Sequence, residues 1–458
     1  MKISDFTTGK LFLPLIMFAL PVLLAMLLQV MYGAVDLVIV GQWGNAPDIL
    51  AVASGSQVML SVTSVINGLA MGVTILIGQM LGSGRSKEAG NVIGSAIAIF
   101  LVLAVFITAT MLVFAGAISN ILHVPGESFG DTVLYLRICG AGSLFIVAFN
   151  VIGSIFRGPG DSKTPLIVVT IACVVNIIGD VVFVAGFHLG VMGAALATVI
   201  AQATSVVLAT VIIKKQGLPF EFSRSSIRFH KELTIRIIRY GAPIALQDGL
   251  VSLSFLAITT IVNSLGVIAA AGVGVAERLA GFIMLVPSAF SQAVAVVVAQ
   301  NYGAKEYQRA RKTLLYGIAI SLFAGTAMAY LSFFHGNLLS GVFSNEIPVI
   351  NASWEYLKAY AIDCLLTAFL FCLVGYFNGC SKTNFVMVQG IIGAFGIRIP
   401  MSYLFSQIEP LSLFRIGLAT PSSTLIQVSL CIFYFLTFNN KLKRPKVQYQ
   451  TIPPIPPA

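Results

Sequence analysis

The chain has 458 residues, 57% hydrophobic and only 10% charged, where an ordinary soluble domain is about a quarter charged. That composition excludes a soluble enzyme, a disordered protein and a coiled coil. The net charge of +10, from 27 basic and 17 acidic residues, would suggest nucleic acid on a soluble protein. Here the basic residues sit in short loops between apolar runs, where they set membrane topology, so the bilayer and not nucleic acid is the expected partner.

Lys2 and Lys10 precede an apolar stretch over residues 11–40. It is too long for a signal-peptide core and no small-residue cleavage site follows, so it reads as a first membrane span. At roughly 20 apolar residues per crossing, the apolar runs predict twelve helices: 12–40, 50–80, 92–117, 132–156, 165–187, 190–213, 237–264, 268–300, 314–336, 352–377, 385–407 and 412–438. The expected fold class is an all-α polytopic membrane protein. One side collects the N-terminus, a loop with Arg85 and Lys87, and a loop with Arg157 and Lys163. It also collects the connection with Lys214, Lys215, Arg224, Arg228 and Lys231, then Lys305 and Lys312, Lys382 and the tail. The opposite loops hold almost none, Arg415 excepted. Positive residues mark the cytoplasmic face, which predicts both termini inside a multi-pass plasma-membrane protein. Trp43 and Trp354 fall at outer helix ends, as an interfacial belt requires.

The polar segment 214–236 divides the chain into an N-lobe (1–213) and a C-lobe (237–438), and the basic, proline-rich tail 439–458 is expected to be disordered. The six cysteines form no CxxC pair and read as packing thiols. His123, His188, His230 and His335 fall in or near loops, and no HExxH or GxSxG pattern occurs. No catalytic residue, metal site or cofactor is therefore expected. An offset near 221 relates the halves. Pro21 matches Pro243, Gln79-Met-Leu-Gly82 matches Gln300-Asn-Tyr-Gly303, and Phe156-Arg-Gly158 matches Phe377-Asn-Gly379. An even, six-helix repeat keeps both copies in one orientation, and parallel repeats place a substrate path between two pseudo-symmetric lobes.

An ionisable side chain at the bilayer centre costs roughly 2.5–3.5 kcal/mol on insertion scales, so each is a functional hypothesis. Asp36 and Asp180 lie about 8–9 Å below the outer ends of helices 1 and 5, at 1.5 Å per residue. Asn176 is one turn from Asp180 on the same face. Two carboxylates in one dry cavity cannot both ionise cheaply, which makes the pair a proton or cation switch. Pro21, on the same helix as Asp36, removes a backbone hydrogen bond and marks a hinge. In the second half Asp248, Glu277, Arg278, Asp363 and Arg398 lie within predicted helices. Glu277 and Arg278 are adjacent and cannot share a helix face. Asp248 and Glu277 stand as a possible C-lobe site.

The run GSIFRGPGDSKTP at residues 153–165 resembles the signature linking helices 4 and 5 of the multidrug and toxic compound extrusion (MATE) transporters. Asn176-Ile-Ile-Gly-Asp180, Gly190-Val-Met-Gly-Ala-Ala-Leu-Ala-Thr198 and Gly241-Ala-Pro243-Ile extend the resemblance over residues 8–438. It implies two six-helix lobes and antiport of small organic cations against inward H⁺ or Na⁺, with the protein working as a monomer. Within the family the chain is similar to the DinF-like branch. That resemblance assigns Asp36, Asn176, Asp180 and Thr198 to ion coupling, places Tyr135 and Asn150 in the nearby substrate cavity and hydrogen-bond network, and makes Pro21 the bend of helix 1. Other branches carry acids at positions aligned near Val251 and Thr367, which are not acidic here. The alternative is a flippase for a lipid-linked saccharide on the related fold, for which Arg278 and Arg398 would have to line a cationic cavity.

Overall fold

The computed structural model describes residues 4–218, 222 and 226–443. Arg224 and the tail from residue 444 onward, expected to be disordered, lie outside the described residues. The chain is helical throughout, with no strand among the described residues.

The first six crossings are α1 (Phe12–Trp43), α2 (Ala46–Gly82), α3 (Ser86–Ile121), the pair α4 (Gly126–Ala141) and α5 (Ser143–Arg157), α6 (Lys163–Asp180) and α7 (Gly190–Gln216). The last six are α8 (Lys231–Asn263), α9 (Val267–Ile283) with α10 (Leu285–Gly303), and α11 (Tyr307–Phe334), followed by the short α12 (Gly336–Gly341). Then come α13 (Ile347–Gly379), α14 (Thr383–Ile391) with α15 (Ile399–Ser406), and α16 (Leu413–Gly417) with α17 (Ala419–Lys443). Eleven of these helical spans are long and apolar enough to cross a membrane, and the bent α4–α5 pair makes a twelfth. Large apolar side chains on the outer surface, such as Phe106, Val113 and Phe323, face outward as lipid contacts require.

Local chemistry fixes the ends. Asn45 and Asp48 form a reciprocal capping box at the start of α2: each side chain accepts from the other residue's backbone N–H at 3.0 Å. The fourth span is not the single rod expected over 132–156. It turns by 52° at Gly142, where a Cβ would lie 2.5 Å from Val199 Cγ2. The fifth and eleventh spans each carry a π-helical stretch, over Val181–Gly186 and Ile392–Arg398. Such interruptions are frequent at functional sites. The last helix continues through Lys443 and so passes the boundary expected at residue 438.

The two lobes are interlaced. The first half of α1 (Leu15, Phe18, Val22) packs into the apolar core of the second lobe, against Phe290, Val294 and Leu373. Its second half (Ile39, Val40) belongs to the core of the first lobe. Helix α8 mirrors this: Ile237 joins the first lobe's core, whereas Ile258 and Val262 join the second's. Pro21 lies in the half of α1 that packs on the opposite lobe.

The matched glycines of the repeat meet at the end that carries the basic loops. A Cβ on Gly82 would overlap the Gln300 carbonyl oxygen, and one on Gly303 would overlap that of Gln79. Gln79 Nε2 donates to the carbonyl of Gly379 at 2.8 Å, and Gln300 Nε2 donates to the carbonyl of Gly158 at 3.2 Å. These are equivalent bonds exchanged across the seam. The N-terminal residues cover the same place. Ser4 N donates to the Pro159 carbonyl at 3.1 Å, Phe6 N donates to Gln300 Oε1 at 3.2 Å, and Arg309 donates to the carbonyls of Phe6, Thr8 and Gly9.

Candidate functional site

Two sites follow from this frame. The first lies inside the first lobe. Helix α1 brings Asp36, and α6 brings Asn176 and Asp180 from one face, all buried. Thr198 on α7 donates to Asp36 Oδ2 at 3.4 Å. Asp180 and Asn176 face the same carboxyl. Two facing carboxyls bond one another only when one holds a proton. Asp36 Oδ1, both Asp180 oxygens and the Asn176 amide are buried without a hydrogen-bond partner among the described residues. The cluster is therefore a desolvated, oxygen-rich set that a proton or a small bare cation would complete.

Tyrosines close this cluster. Tyr135 is buried and in hydrogen-bonding reach of Thr198; it has room because Gly55 opposite it has no Cβ, which would overlap its ring. Tyr32 sits one turn before Asp36 on α1 and interacts with Gln202, one turn beyond Thr198 on α7. Neither Tyr32 nor Gln202 entered the sequence-based set, although both follow from the four-residue spacing.

The second site is a cavity of about 690 Å³ between the lobes, within the range of pockets that hold drug-sized molecules. Its wall does not include Asp36 or Asp180. Asn150, assigned to the substrate cavity and hydrogen-bond network, lines this cavity, whereas Tyr135 does not; the Asn150 amide donates to the Ile146 carbonyl at 2.8 Å. On the second lobe's wall stand Asp248, Glu277, Asp363 and Arg398. Asp248 and Asp363 lie one turn before Val251 and Thr367 on the same helices, and all four residues line the cavity. Acids absent from the two aligned positions are thus supplied one turn away.

These charges are not neutralised in pairs. Among the described residues the ion pairs are Arg85–Glu88 and Arg236–Glu232, both at the surface. Glu277 accepts from Thr259 at 3.5 Å while its Oε1 has no partner, and Asp363 Oδ1 has none. Arg398 donates to Ser254 at 3.1 Å and lies over the Phe255 ring, 4.5 Å from its centroid. Arg157 corrects the sequence reading most. It was placed in a basic loop, but it ends α5 and faces the cavity. Met26, Met71, Met284, Phe149 and Phe371 supply adaptable apolar wall. The six cysteines are free thiols, and no group of His, Cys, Asp or Glu with metal-ligand spacing exists among the described residues.

A two-lobed helical bundle with a central cavity and intramembrane acids is the architecture of a secondary transporter. The MatE family model matches residues 21–182 and 243–404, once in each lobe, beginning on Pro21 and on Pro243. The chain belongs to this family, whose members are membrane transporters and not enzymes. Among relatives, the probable multidrug resistance protein YoeA of Bacillus subtilis is 25% identical over 426 residues, covering 92% of each chain. The multidrug export protein MepA of Staphylococcus saprophyticus is 24% identical over 391 residues, 84% of this chain and 86% of that one. The same fold occurs in an outward-facing multidrug resistance MATE family transporter (TM-score 0.91, 20% identity, 97% of this chain and 99% of that one). A MOP superfamily transporter from Pyrococcus furiosus matches with the same values.

Proposed function

We propose that this protein is a plasma-membrane multidrug exporter that expels lipophilic organic cations in exchange for inward H⁺ or Na⁺, working as a monomer with both termini in the cytoplasm. The observation that carries this reading is the buried, incompletely bonded Asp36–Asn176–Asp180–Thr198 cluster, built around the helix that also walls the cavity. Gln29 of α1 lines the cavity, and Asp36 lies two turns further along the same face. An ion arriving at Asp36 therefore acts on a rod whose other half packs on the opposite lobe. Pro21, which removes one backbone bond from that half, is the point where the rod yields most easily. The cargo is drawn by Asp248, Glu277 and Asp363 and held by the methionine and phenylalanine wall. Ion and drug thus occupy separate places, and the exchange runs through helix movement and not through competition for one carboxylate. The multidrug names of the relatives support drug export as the activity.

The test is efflux of several cationic dyes from proteoliposomes under an imposed proton or sodium gradient. Asp36→Asn and Asp180→Asn are expected to abolish gradient-driven flux while dye binding to the purified protein persists. Full gradient-driven activity in both variants overturns the coupling role. The lipid-saccharide flippase reading is not favoured, because the cavity wall brings three acids against two arginines.

A further inference from the structure

The connection between the lobes lies on the outside of the first one. It is rich in basic residues and phenylalanine, with Glu221 its one acid between Lys214 and Lys231. Leu218 at its start and Leu233 just past its end pack on the first lobe's core. At residues 226–228 the chain crosses α3. A Cβ on Gly94 would overlap the Ser226 carbonyl, so glycine is what lets the backbone pass this close. Ser95 Oγ donates to the Arg228 carbonyl at 3.5 Å. The level of the crossing decides what it touches. The apolar run of α3 begins at residue 92, so Gly94 marks the edge of the hydrocarbon. Leu101 and Val105, seven and eleven residues further on, share the helix face of Gly94 and are exposed, as lipid contacts are. The connection is thus seated on the bilayer-facing ridge of α3, level with the membrane interface.

Ile227 and Phe229 are 44% and 59% exposed at that level, where apolar side chains enter the boundary between headgroups and acyl chains. Arg228, also exposed, stands between them, its Nε donating to His230 Nε2 at 3.3 Å. Lys87 is exposed on the same ridge of α3, seven residues before Gly94 and about 10 Å nearer the basic end at 1.5 Å per residue. No carboxylate pairs with either cation among the described residues; Glu88 and Glu232 are taken by Arg85 and Arg236. We propose that this crossing is a binding site for an anionic phospholipid. Lys87 and Arg228 hold its phosphate, Ile227 and Phe229 pack on the glycerol and the first acyl carbons, and one chain runs down beside Leu101 and Val105. Membrane topology accounts for basic residues in a loop, but not for two large apolar side chains exposed beside them at the hydrocarbon edge. A soluble protein partner does not fit, because the ridge below belongs to the bilayer. The lipid moors to one leaflet the segment through which the second lobe is joined to the first.

Phe229→Trp, in the full chain with Trp43 and Trp354 replaced by phenylalanine, reports on the site by its fluorescence, and Ile227→Trp is a second reporter should the first fail to fold. Each protein is reconstituted in neutral phosphatidylcholine, and brominated phosphatidylglycerol or brominated phosphatidylcholine is titrated in as quencher. Both lipids should quench. Phosphatidylglycerol should do so at a mole fraction about twentyfold lower, about fivefold for each of the two cations. Adding Lys87→Gln or Arg228→Gln should each remove about fivefold of that preference, and both together nearly all of it, while quenching by phosphatidylcholine stays as it was. Glycerol 3-phosphate in solution should not relieve the quenching. Absence of quenching by either lipid overturns the contact with the bilayer. Equal quenching by both overturns recognition of the anionic headgroup, and so does a preference that survives in the double variant. Relief by glycerol 3-phosphate would assign the two cations to a soluble phosphate and overturn the lipid site.

Discussion

Gln79→Ala should open the seam at the basic end. Gln79 Nε2 makes two bonds to the opposite lobe, to the Gly379 carbonyl at 2.8 Å and to Ser381 Oγ at 2.7 Å. Each neutral bond contributes about 0.5–1.5 kcal/mol net, so losing both costs the closed seam about 1–3 kcal/mol. At 1.4 kcal/mol per decade that is a shift of about 5- to 150-fold in the closed-to-open ratio. Gln300→Ala removes the matching bonds to Gly158 and Phe6, each at 3.2 Å. These are longer, so its effect should fall toward the lower end. The assay places one cysteine at Ser162, a buried residue of the cavity wall, in a protein whose native cysteines are replaced. A membrane-impermeant maleimide is then added to oriented vesicles on the side of the basic loops. Labelling should accelerate in the order Gln79→Ala, Gln300→Ala, parent. Equal rates in all three proteins would refute the seam as the barrier on that side.

Gly82→Ala and Gly303→Ala each put a methyl group into a carbonyl oxygen of the other lobe. Overpacking of this kind costs about 1–3 kcal/mol, and because both changes strain one crossing the double variant should cost less than their sum; thermal unfolding and turnover of the three variants check this. The N-terminal residues give a pH signature outside the membrane. The Thr7 hydroxyl, helped by the Thr7 N–H and the Thr8 hydroxyl, holds the Asp5 carboxyl below the usual carboxylate range. A depressed folded value means that this turn is stabilised above the ordinary carboxylate value and loses that support as pH falls through the lowered one. Hydrogen exchange at the Thr7 amide should accelerate over that acidic interval, and Asp5→Ala, which removes the acceptor, should exchange at the fast rate throughout.

The spans were legible because a bilayer demands long apolar runs, and the repeat because Gln79 and Gln300, like Gly158 and Gly379, do one job twice. Equal depth put Asp36 and Asp180 at one level, and the family resemblance put them in one cluster. The interlacing of the lobes was not legible. A leucine facing lipid and one facing a neighbouring helix are alike in sequence, so nothing marked Leu15 and Phe18 as contacts of the second lobe. Arg157 misled for a related reason: a basic residue beside Gly-Pro-Gly looks like a topological anchor, and only the packing turns it inward.

The exchanged glutamine bonds, the crossed glycines and the swapped halves of α1 and α8 are what a self-complementary surface produces when two identical units meet about a twofold axis. A six-helix ancestor would have formed this seam as a homodimer, each contact present twice. The two copies now differ in what they carry: the first holds the buried carboxylate cluster and the second the acidic cavity wall. Severing the chain after α7 would leave Phe18 and Val22 facing lipid in place of the second lobe. Separately expressed halves should still find each other through the exchanged glutamine bonds, which lipid cannot replace.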